Sequence, residues 1–254
     1  MLMSVLEKCR YTSAYPELAG KRVLITGVSG GCGVDIVRAF ADHKTRLVLQ
    51  FAEWSEPEQA IAEIAAPAAL QLRSFGPLER SADAASKFAR TAVQAFGGLD
   101  VVVNLVSLSL AHLPISATLG DLEQRVAERL RLPFLIGKIA ANRMGLAHIE
   151  GMVVNVANLA PRQSPCLPFA GLVKSALAEI TRAQAKEWAS QAVRCNAIAP
   201  ATLAQEEPNF ASEPDIAALL LYLASEAGKG LSGHVFEPEP ARGAPLLPIG
   251  SRDC

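Results

Sequence analysis

The run Thr26-Gly27-Val28-Ser29-Gly30-Gly31-Cys32-Gly33 is the first stretch of this chain whose residue types and spacing could do chemistry. Glycines so spaced, after an apolar run and before a helical pattern, let backbone N–H groups approach a pyrophosphate. The helix N-terminus that follows favours its charge. The same loop also has a purely architectural use, as a tight strand-to-helix turn. Lys174 opens an apolar helical stretch. Its ammonium could contact ribose hydroxyls, or its stem could simply lie over apolar surface. Asn158 could hydrogen-bond a carbonyl but is no proton source at neutral pH. His112 lies beyond an apolar run ending at Asn104, where a substrate would approach. A lone histidine is more often structural. The five cysteines are scattered without Cys-x-x-Cys spacing, so neither a metal site nor a disulfide framework is expected.

These residues need a scaffold, and the pattern supplies one. Short apolar strands are predicted at 23–26, 46–50, 100–104, 151–156 and 192–198, with a weak one at 69–73 and a last one at 234–236. Helical patterns at 34–43, 56–65, 79–96, 122–144, 172–189 and 214–225 alternate with them. Such alternation implies a parallel sheet with helices on both faces. Residues 1–20 read as a polar N-terminal extension, 21–237 as one α/β domain, and 238–254 as a Pro-rich tail. Tyr222 falls within an apolar helix, where core packing is expected.

Half of the residues are hydrophobic and 19% are charged, enough for a large core and too apolar for disorder. A net charge of −1 with no basic run recruits neither nucleic acid nor an anionic membrane. The N-terminus lacks a secretory pattern, because Glu7, Lys8 and Arg10 interrupt any apolar stretch. A cytoplasmic location is expected.

Four segments together carry a family resemblance: the glycine loop, Asp100 with Asn104, Lys174-Ser175-Ala176-Leu177, and Arg194-Cys195-Asn196-Ala197-Ile198-Ala199-Pro200. Over residues 18–237 the chain resembles the short-chain dehydrogenases. The resemblance implies a Rossmann-type doubly wound parallel sheet. It also implies NAD binding through Gly27, Ser29, Gly31, Gly33, Asn104 and Lys174. NADP is not expected, since Glu53 would repel a 2′-phosphate and the sequence sets no basic residue beside it. Leu72-Arg73-Ser74-Phe75 replaces the adenine-contacting acid of relatives, and Asn104-Leu105-Val106-Ser107 keeps only the first Asn of their Asn-Asn-Ala-Gly turn.

Relatives work with an Asn–Ser–Tyr–Lys set, to which Arg129, Asn158, Ala170 and Lys174 correspond here. Only the lysine persists, and a methyl group at 170 can neither give nor take a proton. Residues 201–215 are also a short replacement for the family's substrate lid. The resemblance therefore implies a degenerate homologue, acting as the non-catalytic subunit beside an active paralogue. Such pairing occurs in this family, including in hydroxyacyl-CoA dehydrogenases. A homo-oligomer is the fallback. Two other readings stand beside it: an NAD-dependent oxidoreductase with a non-standard acid, and a dinucleotide-sensing regulator.

Overall fold

The computed structural model describes residues 14–30, 32–107, 118–158, 167–199 and 213–237. Seven strands form one sheet: β1 (Arg22–Val28), β2 (Arg46–Phe51), β3 (Gln71–Phe75), β4 (Val101–Ser107), β5 (Gly151–Asn158), β6 (Val193–Ile198) and β7 (Val235–Phe236). All pairings are parallel, in the order β3-β2-β1-β4-β5-β6-β7. Six helices return the chain between them: α1 (Val34–Asp42), α2 (Glu56–Ala65), α3 (Ala82–Ala95), α4 (Leu119–Leu146), α5 (Leu167–Trp188) and α6 (Glu213–Ala224). The expected α/β, doubly wound, single-domain fold is present. Among the described residues no helix is long and apolar enough to cross a membrane.

The period of two along each strand sorts its side chains between the two faces. Val23, Ile25, Leu47, Leu49, Val103 and Val154 face α1 and α6, where Phe40 and Leu220 complete the layer. Leu24, Val48, Val102 and Val153 face the other way, against Phe88 on α3, Ile136 on α4 and Trp188 at the end of α5. A smaller cluster of Val106, Val126, Leu130, Ala157 and Leu177 closes the space where α4 and α5 meet the ends of β4 and β5.

The N-terminal edge of the sheet is pinned by charge. Arg22 donates from Nη2 to Asp100 Oδ1 at 2.7 Å and from Nε to Oδ2 at 2.9 Å, and its backbone N–H reaches Oδ2 at 2.8 Å. Burial pushes the Asp100 carboxyl upward, but the bonds and charge of Arg22 more than offset this and hold it below the usual value. Arg194 fixes the turn after α6 by donating to the carbonyls of Leu223 and Gly228, each at 2.8 Å.

Three expectations need correction. The extension before β1 is not polar throughout, since Leu18 is fully buried in the core and Glu17 accepts from the Glu226 N–H at 3.1 Å. The weak strand lies two residues later than 69–73, at Gln71–Phe75, because its largely exposed edge position gives no apolar alternation to fix its register. Tyr222 is 37% exposed: α6 turns Leu220, Leu221 and Leu223 inward and Tyr222 outward.

Candidate cofactor and catalytic site

In an open α/β sheet the ligand crevice lies at the carboxyl ends of the strands, where the strand order reverses. Here that point falls between β1 and β4. The glycine loop leaves β1 at this place and ends at Gly33, which caps α1. Gly27 takes φ +75° and Gly33 φ +108°. A Cβ on Gly27 would lie 2.2 Å from the Leu105 carbonyl oxygen, and one on Gly33 would lie 2.6 Å from Leu105 Cδ1. Both positions thus require glycine for backbone conformation and for the close approach of β4. This is an architectural reason that holds with or without a ligand.

Four amides of the loop, those of Gly27, Ser29, Gly30 and Cys32, have partners within the chain. Ser29 and Cys32 exchange backbone bonds at 2.9 and 3.0 Å, closing the loop on itself. The Gly27 N–H donates to Gln50 Oε1 at 3.0 Å. The Gly30 N–H donates to Glu58 Oε1 at 3.0 Å, while the Ser55 hydroxyl donates to Glu58 Oε2. Glu58 is only 5% exposed. The bond from Ser55, then that from Gly30, hold its carboxyl below the usual range. Gly31 lies outside the described residues.

Asn104 is fully buried and bonded on both sides. Its Oδ1 accepts from Thr26 Oγ1 at 2.9 Å, and its Nδ2 donates to Asn155 Oδ1 at 2.9 Å and to the Pro133 carbonyl at 3.2 Å. The side chain expected to help hold a cofactor instead ties β1, β4, β5 and α4 together. Satisfying a buried amide in this way avoids a desolvation cost of about 1–3 kcal/mol.

A cleft of about 240 Å³ opens beside the loop, lined by Thr26, Gln50, Glu53, Arg80, Glu128 and Arg129. This corrects the expectation that no basic residue stands near Glu53. Arg80 arrives from the segment before α3, and Arg129 arrives from α4. Arg129 is half-buried, and desolvation, then the charges of Arg80 and Arg125, lower its pKa. No simple sequence spacing joins residues 53, 80 and 129; only the crossing of three connections does.

Lys174 and Ala170 both belong to α5, one turn apart, and Asn158 ends β5. Lys174 Nζ meets Glu237 Oε2 at 2.7 Å, and the lysine side chain is 16% exposed. Its expected role toward a ribose therefore competes with an internal carboxylate just beyond β7. His112, the 201–212 part of the shortened lid and the tail from 238 onward lie outside the described residues. The histidines at 43, 148 and 234 fall at the opposite, N-terminal edge of the sheet, as expected from their places after α1, after α4 and before β7.

Two of the loop's amides are not free for the dinucleotide that the family resemblance implies. A pyrophosphate is recognised by free amides and positive potential. Here the Gly27 and Gly30 amides are engaged, one of them by a carboxylate. The sequence marks this carboxylate's place on its helix but not its bond to the loop. Ser55-Glu56-Pro57-Glu58 has the Ser-x-x-Glu spacing of a helix capping box, which places a carboxylate at the third helical position.

On the outer side of α4 and α5 runs an apolar groove of about 650 Å³, with Val126, Leu130, Phe134, Leu172, Ala176 and Ile180 among its lining. Glu123, Glu128 and Arg131 stand in the same lining.

Comparison with known proteins agrees with the fold. The family model for short chain dehydrogenases matches residues 21–209. An uncharacterized oxidoreductase of Mycobacterium tuberculosis is 30% identical over 256 residues, covering 92% of this chain and 96% of that protein. Galactitol 2-dehydrogenase (L-tagatose-forming) of Cereibacter sphaeroides is 28% identical over 246 residues, covering 86% and 93%. The structure of an NADH-dependent reductase complexed with NAD superimposes with a TM-score of 0.73 at 19% identity, covering 91% of this chain and 99% of that one. The protein belongs to the short-chain dehydrogenase family.

Proposed function

We propose that this chain is a catalytically degenerate member of its family that serves as the non-catalytic subunit of a hetero-oligomer with an active short-chain dehydrogenase. One observation carries the first half: at the place where relatives carry the tyrosine acid/base, one turn before Lys174, stands Ala170. General acid–base catalysis contributes about 10²–10⁴-fold to such reactions, and an alanine supplies none of it. Lys174, the remaining member, is paired with Glu237. The activities in the names of the relatives above belong to those proteins, and the proposal rests on Ala170 standing where the family resemblance places a tyrosine.

The groove on α4 and α5 supports the second half. A partner built on the same fold would present the same pair of helices, and a twofold arrangement matches a surface to its equivalent. The rim carries both signs of charge, with Glu123 and Glu128 beside Arg131, so equivalent helices running antiparallel can set acid against base. Phe134, 36% exposed, is the aromatic side chain in the groove that gains most from being covered.

Native mass spectrometry of the protein isolated gently from its own cells tests this assembly. A stoichiometric complex with a second short-chain dehydrogenase is expected, and a pure homo-oligomer or monomer would overturn the partner. For the chemistry, the isolated chain is expected to show no nicotinamide-dependent turnover of carbonyl or alcohol substrates. Ala170→Tyr alone is expected to leave it inactive. Substantial turnover by the unaltered chain would sink the degenerate reading, and turnover by the variant would show a site one residue from function.

A further inference from the structure

We infer that the glycine loop already holds an anion of its own chain: the Glu58 carboxylate competes there with a dinucleotide's phosphate, while Gln50 ties the loop to the ends of β2 and β3. Two observations from different elements carry this. Glu58, in the first turn of α2, reaches across to the loop and accepts from the Gly30 N–H at 3.0 Å, steadied by the Ser55 hydroxyl on its other oxygen. Gln50, the penultimate residue of β2, spans the neighbouring strand ends. It accepts from the Gly27 N–H near the end of β1, and donates to the Phe51 carbonyl and, at 3.3 Å, to the Gly76 carbonyl after β3.

The physical consequence follows from charge and burial. An anion that approaches the Gly30 amide competes with Glu58 for it, since both groups only accept hydrogen bonds. Glu58 is 5% exposed and Gln50 is 6% exposed, and the charge of the carboxylate opposes an incoming anion. Entry of a pyrophosphate requires the α2 turn to give up its bond to Gly30 and the Gln50 bridge to open. An ancestral phosphate loop is thereby converted into a clamp between β1, β2 and α2. The glycines at 27 and 33 stay necessary because Leu105 packs on them.

Calorimetric titration of the full chain with NADH tests the clamp by binding rather than turnover, so its result is separate from that of the catalytic reading. The unaltered protein is expected to bind more weakly than about 1 mM. Glu58→Ala, which frees the amide and removes the charge, is expected to tighten binding at least about tenfold. Glu58→Gln keeps an acceptor for Gly30 while removing the charge, and serves if the alanine variant does not fold; a smaller but measurable tightening is expected. Micromolar binding by the unaltered chain would overturn the inference. So would folded variants, judged by their melting, that bind NADH no better than the parent.

Discussion

The two edges of the sheet have been treated differently. At the amino edge, Arg22 embraces Asp100 and Arg194 holds the carbonyls of Leu223 and Gly228. These bonds serve the fold alone. At the carboxyl edge the bonds gather around the glycine loop and Lys174: Asn104 ties strands together, Glu58 and Gln50 hold the loop, and Glu237 pairs with Lys174. The difference teaches that a short-chain dehydrogenase scaffold does not depend on its chemistry for stability. Loop amides and buried polar side chains must be satisfied whether or not a ligand arrives, and protein groups can satisfy them.

That contrast can be broken most severely at the amino edge. Asp100→Ala leaves the guanidinium of Arg22 without its carboxylate and is expected to cost about 3 kcal/mol in urea unfolding. It should leave NADH titration unchanged, and an altered titration would show that the two edges are coupled. Because the Asp100 carboxyl is held below its usual value, its stabilisation is fully present above the unfolded carboxylate range, about pH 4. It is lost as pH falls through the lowered native value, so Asp100→Asn should flatten the acid limb of the stability curve. Arg194→Met, which strands two carbonyls, is expected to cost about 2 kcal/mol by the same measurement.

The smallest effect belongs to the carboxyl edge. Glu237 is half-exposed, so Glu237→Ala should change stability by less than about 1 kcal/mol. A larger loss would make the Lys174–Glu237 pair a structural fastening instead of a replaceable contact.

Much of the scaffold was legible in the residues. Apolar runs marked β1, β4 and β5, because a strand buried on both faces is apolar along most of its length. The edge strand β3 was misplaced because its exposed residues carry no such demand. Helix α4 begins at Leu119, before the apolar periodicity starts, because Thr118 and Asp121 cap it reciprocally. That residue 170 cannot move a proton was also legible, since a side chain's capacity to do so is fixed by its identity. What Glu58, Gln50, Arg80 and Arg129 do was not. Each lies on a different connection, and only the fold places them around one loop.

The sequence by itself determined the layered fold, through the period of its apolar residues, and that the side chain at 170 cannot act as an acid, through the chemistry of a methyl group. Only the tertiary structure decided where the loop's amides find their partners. Hydrogen bonds between residues 27 and 50, or 30 and 58, depend on how neighbouring strands and helices return to the same edge, and no local pattern records that distance.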